Sequence, residues 1–167
     1  MLTEKQVLRT ELLHKKQREL QTANLADCGR KMLQLFRTLP QAAGLKTAVV
    51  FTPLPDEPDV SLINAYLREC GVQVRQVTPS PSAQYPLPFA DVDMVVVPVQ
   101  GFDRSGNRMG RGGGWYDRFL SAVKSERPSV CVVGVCFSFL EVPYIIVDEH
   151  DVKMDIILTE KEVIRVG

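Results

Sequence analysis

The sequence predicts an α/β fold: a three-layer sandwich with a mostly parallel central sheet and helices on both faces. Three observations predict it. Apolar runs of strand length, TAVVFT, DMVVVPV and SVCVVGVCF, alternate with amphipathic segments of helical period. The first of these runs is β-branched and apolar throughout, as a strand covered on both faces is. Strands that alternate with helices need crossover connections, which favour parallel pairing. The 167 residues are domain-sized, and no repeat, low-complexity run or linker divides them, so 1–167 is read as a single α/β domain.

Leu8, Leu12 and Leu20 recur at helical spacing among charged residues, and Leu25, Cys28, Met32, Leu35, Phe36 and Leu39 continue the period in a second helix. Pro40 and Gly44 end it, and the first strand runs over 47–52. Asp59 reads as the N-cap of a helix over 60–70, which Gly71 stops. A second strand over 72–77 leads into TPSPSAQYPLP, where Pro79, Pro81, Pro86 and Pro88 forbid regular structure. A third strand follows over 93–99, then a helix over 115–125 and a fourth strand over 129–137. Short strands near 145–147, 156–159 and 163–166 finish or cap the sheet.

With 45% hydrophobic and 24% charged residues the chain is an ordinary globule rather than a disordered one. Twenty Lys and Arg balance twenty Asp and Glu, so no overall field draws it to nucleic acid or to an anionic membrane, and any anion site must be local. Cys28, Cys70, Cys131 and Cys136 form no C-x-x-C pair and are too sparse for a disulfide framework; they read as reduced core residues. The charged amino terminus lacks the apolar region of a signal peptide, and the longest apolar stretch, 130–140, is shorter than the roughly 20 residues of a membrane span. A cytoplasmic protein with a small-molecule partner, as a monomer or homodimer, is expected.

The densest chemical signal is GFDRSGNRMGRGGGWYDRFL at 101–120. Gly101, Gly106, Gly110, Gly112, Gly113 and Gly114 let the backbone approach a ligand closely, and the helix that follows adds its unpaired amides and dipole, the physical requirement for a phosphate site. Arg104, Arg108 and Arg111 supply formal charge. No Lys-Ser/Thr follows the glycines, and Trp115 breaks G-x-G-x-x-G, so neither standard phosphate fingerprint applies. Trp115 and Tyr116 either stack on a planar ring or dock their helix on the sheet. Asp117, one turn into the helix, either holds Mg2+ or answers the helix dipole.

Lys5 and Arg9 are four apart, hence on one helix face, which is either a clamp for an oligophosphate or a solvated surface. Asp148, Glu149, Asp151 and Asp155 cluster around His150; strand alternation from 151 to 155 would put two carboxylates on one face, suited to a hard cation, and a solvated turn is the alternative. Glu57, in PLPDEP after the first strand, falls at the same rim as the glycine-rich loop. His14 and His150 read as exposed or structural, and no Ser–His or Cys–His constellation stands out. Phosphoryl transfer requires no protein nucleophile, only positioning and charge neutralisation.

The run RMGRGGGWYDRFL at 108–120 resembles the R-L-G-x-G-x-G-Y-Y-D-R-x-L signature of the 5-formyltetrahydrofolate cyclo-ligase, or methenyltetrahydrofolate synthetase, family. Lys5 and Arg9, P-x-x-E-x-D around Glu57, and EHDVKMDIILTE at 149–160 match more weakly and in the right order. The resemblance implies an ATP- and Mg2+-dependent conversion of 5-formyltetrahydrofolate to 5,10-methenyltetrahydrofolate, ADP and phosphate. In that family the formyl oxygen is phosphorylated, N10 attacks, and phosphate leaves. It further implies that Lys5, Arg9, Arg108, Met109, Gly110, Arg111, Gly112, Gly113, Gly114, Trp115 and Tyr116 bind ATP, with Arg108 and Arg111 catalytic. Asp117 and Asp155 would hold magnesium, and Thr52, Glu57 and Trp115 would face the pterin.

Members of that family are usually longer. Where they carry an insertion that helps enclose the folate, this chain has only TPSPSAQYPLPFADV; Trp115 replaces a customary tyrosine, and Ile146 stands where many have proline. A pterin pocket opened by that loss is expected. The alternative reading is therefore a nucleotide- or phosphate-binding protein derived from the family, with a different small-molecule substrate or a sensing role.

Overall fold

The computed structural model describes residues 1–82, 84–85 and 88–167. Two helices lead the chain, α1 (Glu4–Glu19) and α2 (Leu25–Phe36). The Thr3 side chain accepts from the Gln6 N–H while the Gln6 side chain accepts from the Thr3 N–H, a reciprocal cap that fixes the start of α1. Then follow β1 (Thr47–Phe51), α3 (Ser61–Glu69), β2 (Gln73–Val77), β3 (Met94–Pro98), β4 (Gly101–Phe102), β5 (Arg108–Met109), α4 (Trp115–Glu126), β6 (Cys131–Val135), β7 (Ile156–Leu158) and β8 (Val163–Arg165).

Six strands form one sheet in the order β2-β1-β3-β6-β7-β8. All neighbours are parallel except β7 and β8, which pair antiparallel. Every residue of β1 and β3 is buried, because layers cover both faces, whereas β2 at the edge is largely open. α2 and α3 pack together. The crossovers β1–α3–β2 and β3–α4–β6 run in opposite directions from the centre, so right-handed connections put α3 and α4 on opposite faces. The order reverses between β1 and β3, which opens a crevice beyond their carboxyl ends.

The three-layer parallel architecture is the one expected from the sequence. Some details differ. No strand forms at 145–147; instead the Ile145 N–H donates to the buried Asp103 carboxylate at 2.8 Å. The helix after β1 starts one residue later than 60, with Asp59 still accepting from the Ser61 N–H at 2.9 Å. The stretch 101–109, expected to belong to an irregular loop, is a hairpin of two-residue strands, β4 and β5. Strands so short show no alternation to read. Cys136 is buried and Cys28 and Cys131 partly so, but Cys70 is exposed at the end of α3, so it is not a core residue; all four are free thiols. Of the proline segment, Pro86 lies outside the described residues. Among the described residues no helix is long and apolar enough to cross a membrane.

Candidate active site

Lys5, Arg9, Leu12 and Lys16 recur at spacings of four, three and four, so they form one stripe along α1. That stripe lies on the glycine-rich segment. A Cβ on Gly101 would come within 2.5 Å of Leu12 Cδ1, so glycine there lets the helix rest directly on β4. On either side of that contact the cations reach their partners. Arg9 Nε donates to the Gly110 carbonyl at 3.0 Å, and Lys5 Nζ pairs with Asp148 at 2.7 Å and Asp151 at 2.6 Å.

Between β5 and α4 the backbone takes positive φ at Gly112 (108°) and Gly114 (69°), and Gly114 is the N-cap of α4 without a side-chain cap. Among the described residues, the N–H groups of 110–117 donate to no protein acceptor. A turn of free amides therefore runs into an uncapped helix end, the arrangement that binds phosphate oxygens. Arg118 Nη1 donates to the Gly113 carbonyl at 3.0 Å and turns that carbonyl away from the amides.

Arg108 is buried at the base of this loop, where its Nη2 makes a very short ion pair with Asp117; its Nε has no partner among the described residues. Burial lowers the guanidinium from its ordinary value against the opposing charges of Asp117, Asp151 and Tyr116, yet arginine remains a cation. The same Asp117 oxygen accepts from the Val152 N–H at 3.1 Å, while its other oxygen has no protein donor among the described residues. Arg111 reaches across to Asp56 at 2.7 Å and Glu57 at 3.3 Å. Burial opposes both charges, but the Arg111 and Lys16 hydrogen bonds outweigh it and hold Asp56 below the ordinary carboxylate value, while Asp56 and Glu57 raise Arg111.

Beside the loop, at the reversal of strand order, is a cavity of about 340 Å³ whose walls include Thr52, Glu57, Gln100, Arg108, Trp115 and Tyr116. Its wall is mostly apolar, and the proline segment contributes Thr78, Pro79, Ser80 and Pro81. Tyr85 packs against Trp115 and Phe119 at ring distances of 5.6 and 5.3 Å. The described part of the short segment thus contributes to the cavity wall. The Tyr116 hydroxyl is buried with no partner among the described residues, and burial pushes its phenol far above the ordinary value. On the other side of Gly114 and Asp117 an open cleft runs to Asp148 and Asp151.

Some predicted residues are placed elsewhere. The Asp155 carboxylate accepts from the Val132 N–H at 2.8 Å, near the amino end of β6, whereas the glycine-rich loop leaves the carboxyl side of the sheet. Asp155 thus bonds to β6, while Asp117 bonds to Arg108 and Val152. Residues 151–155 are not a strand, so the alternation that would have aligned Asp151 with Asp155 does not exist. Arg104 pairs with Glu141 and Glu162 along the hairpin. The Met109 side chain is in the core, and only its backbone takes part, through its carbonyl on the Gln100 N–H. Trp115 both packs against the core and lines the cavity. Lys16, Asp56, Gln100 and Arg118 were not anticipated; the stripe that joins Lys5 to Arg9 extends to Lys16 and was its one signal.

A model of the 5-formyltetrahydrofolate cyclo-ligase family matches residues 70–160. The chain belongs to that family. The 5-formyltetrahydrofolate cyclo-ligase of Mycoplasma pneumoniae is 25% identical over 95% of this chain and 99% of its own length. The mouse enzyme of the same name is 40% identical over 70 residues, which span 41% of this chain and only 34% of the mouse protein. Among solved structures, the 5,10-methenyltetrahydrofolate synthetase of Aquifex aeolicus superposes with a TM-score of 0.77 at 25% identity, covering 98% of this chain and 93% of that one. The synthetase from Mycoplasma pneumoniae shares the fold with a TM-score of 0.75 at 20% identity, covering 95% and 99%.

Proposed function

We propose that this cyclo-ligase family chain catalyses the ATP- and Mg2+-dependent conversion of 5-formyltetrahydrofolate to 5,10-methenyltetrahydrofolate, with release of ADP and phosphate. The observation that carries the reading is the turn of free amides at the uncapped end of α4, backed by buried Arg108 and opening onto an aromatic-walled cavity at the strand-order reversal. Names of full-length relatives point the same way.

ATP supplies a phosphoryl group that turns the formyl oxygen into a leaving group. The chain's own residues position and neutralise. The amides of Gly110, Arg111, Gly112, Gly113, Gly114, Trp115 and Tyr116 face the phosphate oxygens, and the buried Arg108 guanidinium supplies positive charge at the base of the loop. Arg9 braces the loop through the Gly110 carbonyl, and Lys5 at the end of the same stripe neutralises the acidic cleft next to it. Arg111 links the loop to Glu57, so nucleotide and folate halves share one ion-pair network. Thr52, Glu57 and Trp115 line the side on which the pterin would lie.

Magnesium fits the residues present in a limited way. Among the described residues no three potential ligands converge, but Mg2+ keeps several waters and is held by one or two carboxylates plus phosphates, so the free oxygen of Asp117 suffices beside a bound nucleotide. Asp155 is assigned a structural part.

Mixing the protein with ATP, Mg2+ and 5-formyltetrahydrofolate should give the absorbance of the methenyl product, dependent on ATP. Calorimetric binding of ATP with no product on prolonged incubation would defeat the reading and favour a nucleotide-binding role.

A further inference from the structure

Lys16 is 3% exposed, with its ammonium fixed between α1 and the sheet. It donates to Gln100 Oε1 and pairs with Asp56 Oδ2 at 2.8 Å. A buried ammonium is expensive unless its donors are met, and here one partner lines the cavity and the other is the chain neighbour of a residue that does. Gln100 lines the cavity; Asp56 precedes Glu57, which also lines it and shares Arg111 with Asp56.

An ammonium has donors and no acceptor, so only the oxygen of the Gln100 amide can face it. The amide NH2 is then turned away from Lys16, and no protein acceptor takes it among the described residues. The same cavity is lined by the buried Glu57 carboxylate, an acceptor oriented by the Leu54 N–H at 2.8 Å and by Arg111. The cavity wall thus offers a donor and an acceptor, linked through Lys16, Asp56 and Arg111. A 4-oxopteridine presents the complement along one edge, with N3–H as donor and the C4 carbonyl as acceptor.

We propose that Lys16 is a positioning residue that holds the Gln100 amide with its NH2 toward the cavity, where Gln100 and Glu57 together read the C4 carbonyl and N3–H of the substrate ring. This rests on the cyclo-ligase reading and assigns Gln100 as its specificity determinant. A site built to meet a hydrogen-bonding group discriminates strongly, because a mismatched analogue leaves buried polar groups unpaired.

The test compares 5-formyltetrahydrofolate with its 4-amino-4-deoxy analogue, which has a donor in place of the C4 oxygen. Wild type should prefer the oxo substrate in kcat/KM. In Gln100→Glu one carboxylate oxygen keeps Lys16 and the other faces the ring as an acceptor, so the preference should move at least tenfold toward the amine. Gln100→Met, of similar volume, should bring the two substrates closer together. Lys16→Met should raise the KM for folate several-fold and weaken the preference, with the KM for ATP unchanged. An unaltered oxo/amino ratio in Gln100→Glu and Gln100→Met, or a Lys16→Met effect equal for ATP and folate, would overturn the assignment while leaving the cyclo-ligase reading intact. A wild-type protein that makes no methenyl product defeats both.

Discussion

Arg108 at the end of the hairpin and Asp117 in the first turn of α4 close the glycine-rich loop at its root, with side chains 5% and 21% exposed. Nine residues apart in sequence, they are brought together because the loop between them doubles back through two positive-φ glycines. The pair does two things at once. It anchors the free-amide turn to the hairpin, and it leaves Arg108 Nε and one Asp117 oxygen without protein partners.

Arg108→Ala should therefore weaken ATP binding about 10- to 100-fold, the effect of losing a charge-assisted contact of about 1.5–3 kcal/mol. It should also lower stability, because Asp117 loses its counter-ion in a partly dry site. Titration calorimetry of Arg108→Ala, Asp117→Asn and the double variant checks this; the double variant should lose clearly less than the sum of the two.

Gly112→Ala and Gly114→Ala should impair the loop more than the fold. Left-handed backbone costs a residue with a Cβ about 1–2 kcal/mol. At Gly114 the added Cβ would also lie 3.0 Å from Arg118 Nη1. The KM for ATP should rise in both variants, with thermal melting lowered by a few degrees at most.

The Lys5–Asp151 pair predicts a pH window. Partial burial raises the Asp151 carboxyl, but the hydrogen bonds from Lys5 and the Asp148 N–H and the charge of Lys5 outweigh it, so its pKa is lowered. Burial lowers Lys5, but Asp148 and Asp151 outweigh it, so its pKa is raised. A lowered carboxyl stabilises the fold above its unfolded value, about 3.9, and loses that stabilisation as pH falls through the folded value; a raised lysine stabilises below about 10.4 and loses it as pH rises through its own. Melting temperature should thus be supported between those limits and fall at both ends. Asp151→Asn should flatten the acid limb of the profile.

Tyr85→Ala should open the cavity beside Trp115. Its ring contacts with Trp115 and Phe119 contribute about 0.5–1.5 kcal/mol each. The KM for folate should rise with the KM for ATP unchanged, because Tyr85 packs on the aromatic side chains of α4 and, among the described residues, makes no hydrogen bond to the glycine-rich loop.

Asp155→Asn separates structure from metal binding. The carboxylate accepts from Val132 N–H, and an amide oxygen can still do so, so melting should change by less than about 1 kcal/mol equivalent. The Mg2+ dependence of the reaction should be that of wild type, whereas Asp117→Asn should demand more Mg2+.

Much of this protein was legible in the chain itself. Covered strands read as unbroken apolar runs, helices as 3.6-residue periods, and glycines ahead of a helix as a turn of free amides, because each of these signals is local. The spacing of Lys5 and Arg9 likewise placed them on one face before any fold was known. Tertiary structure alone decided which residues meet across the sheet. Asp155 directly precedes β7 at the amino edge of the sheet, so its carboxylate accepts from the Val132 N–H. Lys16 and Gln100, 84 residues apart, became a pair only when α1 settled on Gly101. Side-chain chemistry and local spacing are properties of a few neighbouring residues; the register of distant strands and the seat of a helix depend on packing that no short window contains.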